Sequence, residues 1–105
     1  MAYRIVWSPR ALDDIDSIAA YIARDSAAYA SAVVAKIIKS SRTLRRFPFA
    51  GRIVPEFEDA NLRERFVYSY RIIYGIENRT VTIVAVIHGR RILENALAED
   101  AREDG

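Results

Sequence analysis

Two apolar runs with the turn residues Asn78 and Arg79 between them constrain this chain more than any other feature: Tyr70 to Ile76 and Thr80 to His88, within YRIIYGIENRTVTIVAVIHGRR. Both are rich in β-branched and aromatic residues and short enough to be strands. A two- or four-residue hairpin loop centred on Asn78 and Arg79 pairs residues whose numbers sum to 157. That register sets Tyr74 opposite Ile83, Ile72 opposite Ala85 and Arg71 opposite Val86. Side chains alternate between faces, so Ser69, Arg71 and Ile73 share a face with Val84, Val86 and His88. Arg71 and His88 then become diagonal neighbours, roughly 7 to 8 Å apart at Cα. A three-residue loop would destroy this pairing.

Upstream, the pattern changes from strand to helix. YRIVW at Tyr3 to Trp7 is a short apolar strand, and Ser8 and Pro9 behind it suit an N-cap and a first helical turn. Asp13, Asp14 and Asp16 follow near the positive end of the helix macrodipole. Leu12, Ile15, Ile18, Ala19 and Ile22 recur at helical spacing and predict one buried face, with the helix ending near Arg24. Asp25 or Ser26 can cap a second helix, in which Ala30, Val33, Val34, Ile37, Ile38, Leu44 and Phe47 keep the period until Pro48. Two amphipathic helices joined this tightly make an antiparallel hairpin. Phe49 to Asn61 reads as an irregular loop, and Leu62 to Val67 as a third strand candidate. Trp7, Tyr21, Tyr70 and Tyr74 lie on apolar faces and are assigned to the core. The expected fold is α+β, with an N-terminal strand and an antiparallel helical hairpin packed on a small, mainly antiparallel sheet.

Length and composition narrow the chemistry. The chain has 105 residues, which is one domain and one modest core. We assign the domain to residues 1–98, followed by an acidic tail over 99–105 that is expected to be disordered. With no cysteine and one histidine, His88, neither a metal nor another cofactor is implied. No stretch approaches the roughly 18 apolar residues of a membrane span, and the N-terminus lacks the pattern of an export signal, so a cytoplasmic location is expected. Arg42 to Arg91 holds ten arginines against five acids, whereas Ile92 to Gly105 holds one against five. The basic half is built of guanidinium forks, which suit phosphate or carboxylate.

The order of elements, together with WSPRALDDIDSIAAYIA, LRRFPFAGR, YRIIY and VIHGRR, resembles the RelE/ParE superfamily of toxins from type II toxin-antitoxin systems. The resemblance covers Tyr3 to about Leu93 and lies closer to ParE-like members. It implies a small α+β toxin that forms a hetero-oligomer with a cognate antitoxin, itself a small protein with a DNA-binding N-terminus. It also implies one of two targets. RelE-like members cleave mRNA in the ribosome, and ParE-like members inhibit DNA gyrase by binding.

For the nuclease, the resemblance nominates Arg71 as a catalytic arginine and Arg90 or Arg91 as a second. It also nominates His88 as general acid or base, and Glu56 as a base paired with Arg71 and His88. The departures from the nuclease pattern favour binding. No lysine follows Lys39, the loop before YR carries Glu56, Glu58 and Asp59, and no aromatic residue or histidine follows Arg91. Arg71, His88, Arg90 and Arg91 are accordingly expected to form a docking surface for a ParE-like gyrase inhibitor. The alternatives are a ribosome-dependent mRNA endonuclease and an inactive descendant that only binds antitoxin. For Arg71 the residues leave open a structural role too, in stacking on a tyrosine or pairing with Glu64.

Overall fold

The computed structural model describes residues 2–89. Ser8 has an extended backbone, and its Oγ accepts the Ala11 amide at 3.0 Å, which starts helix α1 (Pro9–Ala23) with proline in its first turn. The buried stripe of α1 is Ala11 with Ile15, Ile18 and Ile22, at steps of four, three and four. Leu12 and Tyr21, both expected inside, are 53% and 67% exposed. The first turn holds no acid, and Asp14 bonds elsewhere, as described below.

Ser26 accepts the Tyr29 amide at 3.0 Å and caps α2 (Ala27–Thr43), whose buried stripe is Ala30, Val33, Ile37 and Ser41. Ser41 satisfies its hydroxyl by donating to the Ile37 carbonyl one turn back. The regular helix stops at Thr43, before the proline expected to stop it. Leu44 to Phe47 continue as a tighter turn in which each amide bonds three or four residues back. That tightening turns Phe47 outward, and it is exposed.

The five strands are β1 (Arg4–Trp7), β2 (Arg52–Ile53), β3 (Leu62–Val67), β4 (Tyr70–Glu77) and β5 (Thr80–His88), in the spatial order β1-β5-β4-β3-β2. β1 runs parallel to β5, and the other pairs are antiparallel. β2 lies inside the stretch read as irregular loop. Gly51 sets its position: a Cβ there would meet the Glu64 carbonyl oxygen at 2.4 Å and the Tyr74 hydroxyl at 2.6 Å. Only glycine lets the backbone come this close, and its amide donates to that hydroxyl at 2.9 Å.

The β4–β5 hairpin turns on Asn78 and Arg79, both at positive φ (48° and 60°), as a two-residue loop that follows strand twist requires. The carbonyl of Arg79 accepts the Arg4 amide at 2.9 Å, so β1 locks the turn in place.

The register corrects the sequence reading beyond its first half. Tyr74 faces Ile83 and Gly75 faces Thr82, as expected, but a bulge follows, and Ile73 faces Ala85, Ile72 faces Val86, Arg71 faces Ile87 and Tyr70 faces His88. Val84 is the extra residue. Past Trp7, β5 has no strand on its outer side, and α1 supplies the missing partners. The Ser8 amide donates to the Ile83 carbonyl at 2.9 Å, the Ser8 hydroxyl to the Val84 carbonyl at 2.9 Å, and the Val86 amide to the Asp14 carboxylate at 2.8 Å.

The sheet therefore carries a core on each face. Beneath the helices, Ile72, Tyr74, Val81, Ile83 and Val86 pack with Ala11, Val33, Ile37 and Leu44. On the far face, Val54, Ile73, Ala85 and Ile87 pack with Phe57 and Leu62 as the 54–62 segment folds back across the strands.

Candidate functional site

On that far face, Arg71 of β4 sits opposite Phe66 of β3, one pair along from Glu64 opposite Ile73. The diagonal brings guanidinium and carboxylate together, and both are buried, at 4% and 1% exposure. Arg71 Nε donates to Glu64 Oε1 at 2.8 Å, and its Nη2 donates to the same oxygen. The other Glu64 oxygen accepts from Nε of Arg52, on β2.

Glu56 arrives from the fold-back segment and takes the outer end of Arg71 as a fork. Nη1 donates to Oε2 at 2.9 Å and Nη2 to Oε1 at 2.8 Å. Among the described residues, two arginines and two carboxylates thus form one network, its Arg71–Glu56 arm in the bidentate geometry that gives the strongest pairs. The Glu56 hydrogen bonds, and then those of Glu64, raise the Arg71 guanidinium above its ordinary pKa, against the opposing pull of burial. The loop acids read from sequence as a departure from the nuclease pattern are, at Glu56, the outer half of this clamp.

The expected neighbourhood of Arg71 and His88 is not formed. Because Val84 is accommodated as a bulge, His88 faces Tyr70 on the helix side of the sheet, and Arg71 faces the other way. His88 is exposed and meets the Tyr70 ring edge-on, with centroids 5.9 Å apart and planes at 78°. The structure therefore brings together Arg71 and Glu56 from the expected set and places His88 apart. Arg90 and Arg91 lie outside the described residues. Residues 90–98 of the assigned domain and the acidic tail lie outside them too.

Two members of the network were legible only in part. Glu64 could be proposed as an Arg71 partner from strand adjacency, but Arg52 required the unpredicted strand β2. A further signal went unused: no acid occurs between Asp25 and Glu56.

Chemically, the network binds its own carboxylates. For Arg71 to meet a phosphate it would have to leave Glu56 at least. Arg52 is committed to Glu64 and lies over the Phe66 ring at 5.5 Å. Among the described residues no group of three His, Cys, Asp or Glu side chains is placed to hold a metal ion. None of the described helices is long and apolar enough to cross a membrane.

Comparison with known proteins bears on these features. Among solved structures, the chain is similar to the chromosomal ParDE toxin-antitoxin system from P. aeruginosa, with TM-score 0.69 at 17% identity over 83% of this chain and 96% of that one. It is also similar to a RelBE toxin-antitoxin complex from Mycobacterium tuberculosis, with TM-score 0.62 at 22% identity over 84% and 99%. A mutant E. coli RelE toxin in the free state gives TM-score 0.65 at 17% identity over 98% of both chains. At these identities the likeness establishes the fold, which is two helices packed on a five-stranded, mostly antiparallel sheet. No relative was found among curated proteins. Residues 5–93 match the model of the ParE toxin of the type II toxin-antitoxin system parDE, and this chain belongs to that toxin family.

Proposed function

We propose that this toxin acts by binding, as a ParE-like inhibitor of DNA gyrase neutralised by a cognate antitoxin, and does not cut RNA. The observation that carries the reading is the state of Arg71. Cleavage through a 2'-hydroxyl needs a base, an acid and a cation presented to the phosphate. Here Arg71, the first of the nominated cations, is buried between Glu56 and Glu64, and the nominated histidine is on the opposite face of the sheet. Glu56, the nominated base, spends both oxygens on Arg71.

The antitoxin is supported by the family and by the neighbouring structures, several of which are toxin-antitoxin complexes. In this reading His88 and the following Arg90 and Arg91 belong to the docking surface, and Arg71, buried on the face of the sheet opposite His88, holds that other face together.

The test is a pair of assays on the purified chain. Gyrase supercoiling of a relaxed plasmid should be inhibited, and mRNA on translating ribosomes should remain intact. Position-specific mRNA cuts with gyrase unaffected would overturn the proposal in favour of the endonuclease. Inactivity in both, with antitoxin still bound, would leave the inactive descendant.

A further inference from the structure

Between Asp25 and Glu56 the chain has no acid and six cations, Lys36, Lys39, Arg42, Arg45, Arg46 and Arg52. The first four recur every three residues on the C-terminal half of α2 and its final turn, and all four are exposed. A helix of 3.6 residues per turn rotates a three-residue series by about 60° per step. The series therefore crosses the outer surface of α2 from one flank to the other.

The grooves on the two flanks bear this out. Toward β3, a groove of about 360 Å³ is lined by Lys36, Lys39, Ser40, Thr43, Arg65 and Tyr68. Toward β1, a groove of about 390 Å³ is lined by Arg4, Arg42 and Arg45 above Trp7. No carboxylate of the described residues lines either one. Arg65 is held at its groove by a bond from Nη1 to Thr43 Oγ1 at 2.6 Å. Tyr68 closes the same groove from the β3–β4 turn, 58% exposed and at φ 52°, a conformation a bulky residue rarely adopts. Cationic forks, ammonium groups and hydroxyls without acids are the groups that contact nucleic-acid phosphates.

We infer that the C-terminal half of α2 is a docking surface for duplex DNA. Two rows of cations, Lys36, Lys39 and Arg65 on one side and Arg4, Arg42 and Arg45 on the other, lie across a helix about 10 to 12 Å wide. The B-DNA major groove is about 12 Å wide and bounded by two phosphate rows. A helix seated in that groove would set each row of cations against one strand. The contacts this surface offers are to phosphates, so binding is expected to be independent of sequence. The surface lies on the helix face of the sheet, away from the Arg71 network. It does not rest on the gyrase reading, because its measurement needs only the chain and DNA.

The test is fluorescence anisotropy of a labelled mixed-sequence duplex of about 20 bp, titrated with purified chain between about 50 and 300 mM salt. For six phosphates neutralised, the slope of log K against log salt is expected near −5. Lys36→Gln with Lys39→Gln should reduce that slope by about 2 and weaken binding at least tenfold at about 100 mM salt. Arg42→Gln with Arg45→Gln should do the same from the other flank. Arg24→Gln, outside both grooves, should leave slope and affinity unchanged. All these side chains are exposed, and circular dichroism confirms that the variants fold. The inference is overturned by absent or salt-independent binding, by unchanged binding in either double variant, or by equal affinity for polyglutamate of matched charge. Tighter binding of single-stranded RNA of the same length would also overturn it.

Discussion

The carboxylate of Asp14 accepts the backbone amide of Val86 at 2.8 Å, joining residues 72 positions apart. With Ser8 bonded to Val84, it makes the start of α1 the partner of β5 where the strand departs from regular pairing. The contact lies just past the point where the pairing of β5 with β4 shifts register.

Asp14→Ala is expected to destabilise the fold by about 1 to 3 kcal/mol, because a partly buried amide on the outer side of β5 loses its acceptor. For a domain of this size each kcal/mol lowers the melting temperature by roughly 4 to 8 °C. Arg10→Gln removes the other Asp14 partner, a partly exposed pair at 2.9 Å, and should cost less than about 1 kcal/mol. Thermal melts of the two variants check the order, and equal shifts would mean that the ion pair, not the amide, is what Asp14 serves.

Glu64→Gln should be severe, about 3 to 5 kcal/mol, since it leaves the buried Arg71 guanidinium with only its outer carboxylate. Replacing both partners by apolar residues, Glu64→Leu with Arg71→Met, should recover most of that loss. Glu56 and Arg52 would remain, and both reach solvent. Urea denaturation separates the cases. A double variant as unstable as Glu64→Gln would show that the network supplies more than mutual neutralisation.

His88→Ala is expected to leave growth arrest intact. It removes an edge contact to Tyr70 worth about 0.5 to 1.5 kcal/mol and, on the binding reading, no proton-transfer group. Removal of a true general acid or base typically costs about 10²- to 10⁴-fold in rate. Induced expression of the variant with and without antitoxin provides the measurement. Complete loss of toxicity in a folded, antitoxin-binding variant would place His88 in an active site.

Alkaline pH should weaken the fold through Tyr74. Burial raises its phenol pKa, so the folded state holds the proton longer than the unfolded chain does. The resulting stability is complete below the ordinary tyrosine value of about 10 and is lost as pH rises through the higher folded-state value. Tyr74→Phe should flatten this decline while costing about 1 to 3 kcal/mol at neutral pH, where the Gly51 amide loses its acceptor. Tyr70 is shifted the same way and leaves a residual slope. Urea midpoints at neutral and alkaline pH would show an unchanged slope if Tyr74 carried none of it.

The elements that could be read from sequence are those specified locally. Ser8 and Ser26 cap their helices as expected, the three- and four-residue spacing marks α1 and α2, and Asn78 with Arg79 fixes the near half of the hairpin. What could not be read is specified from a distance. Val84 is an ordinary strand residue with no glycine or asparagine to announce a bulge, and its conformation answers to Ser8 and Asp14. Tyr21 sits at an apolar period and is nonetheless outside, because the helix turns Ala11, Ile15, Ile18 and Ile22 inward. The Arg71 clamp was legible in part: Glu64 follows from strand adjacency and Glu56 beside Arg71 from the family resemblance, whereas Arg52 depends on how the 51–62 segment folds back.

The bulge also bears on alignment with distant relatives. A relative lacking one residue at Val84 could pair its strands without interruption, and every residue beyond that point would keep the same cross-strand neighbour. Chain length is negotiable there without altering which side of the sheet His88 occupies. A gap belongs at Val84 when such a sequence is aligned with this one. Shifting it past His88 would match the histidine to a residue from the opposite face and transfer a functional role across the thickness of the sheet.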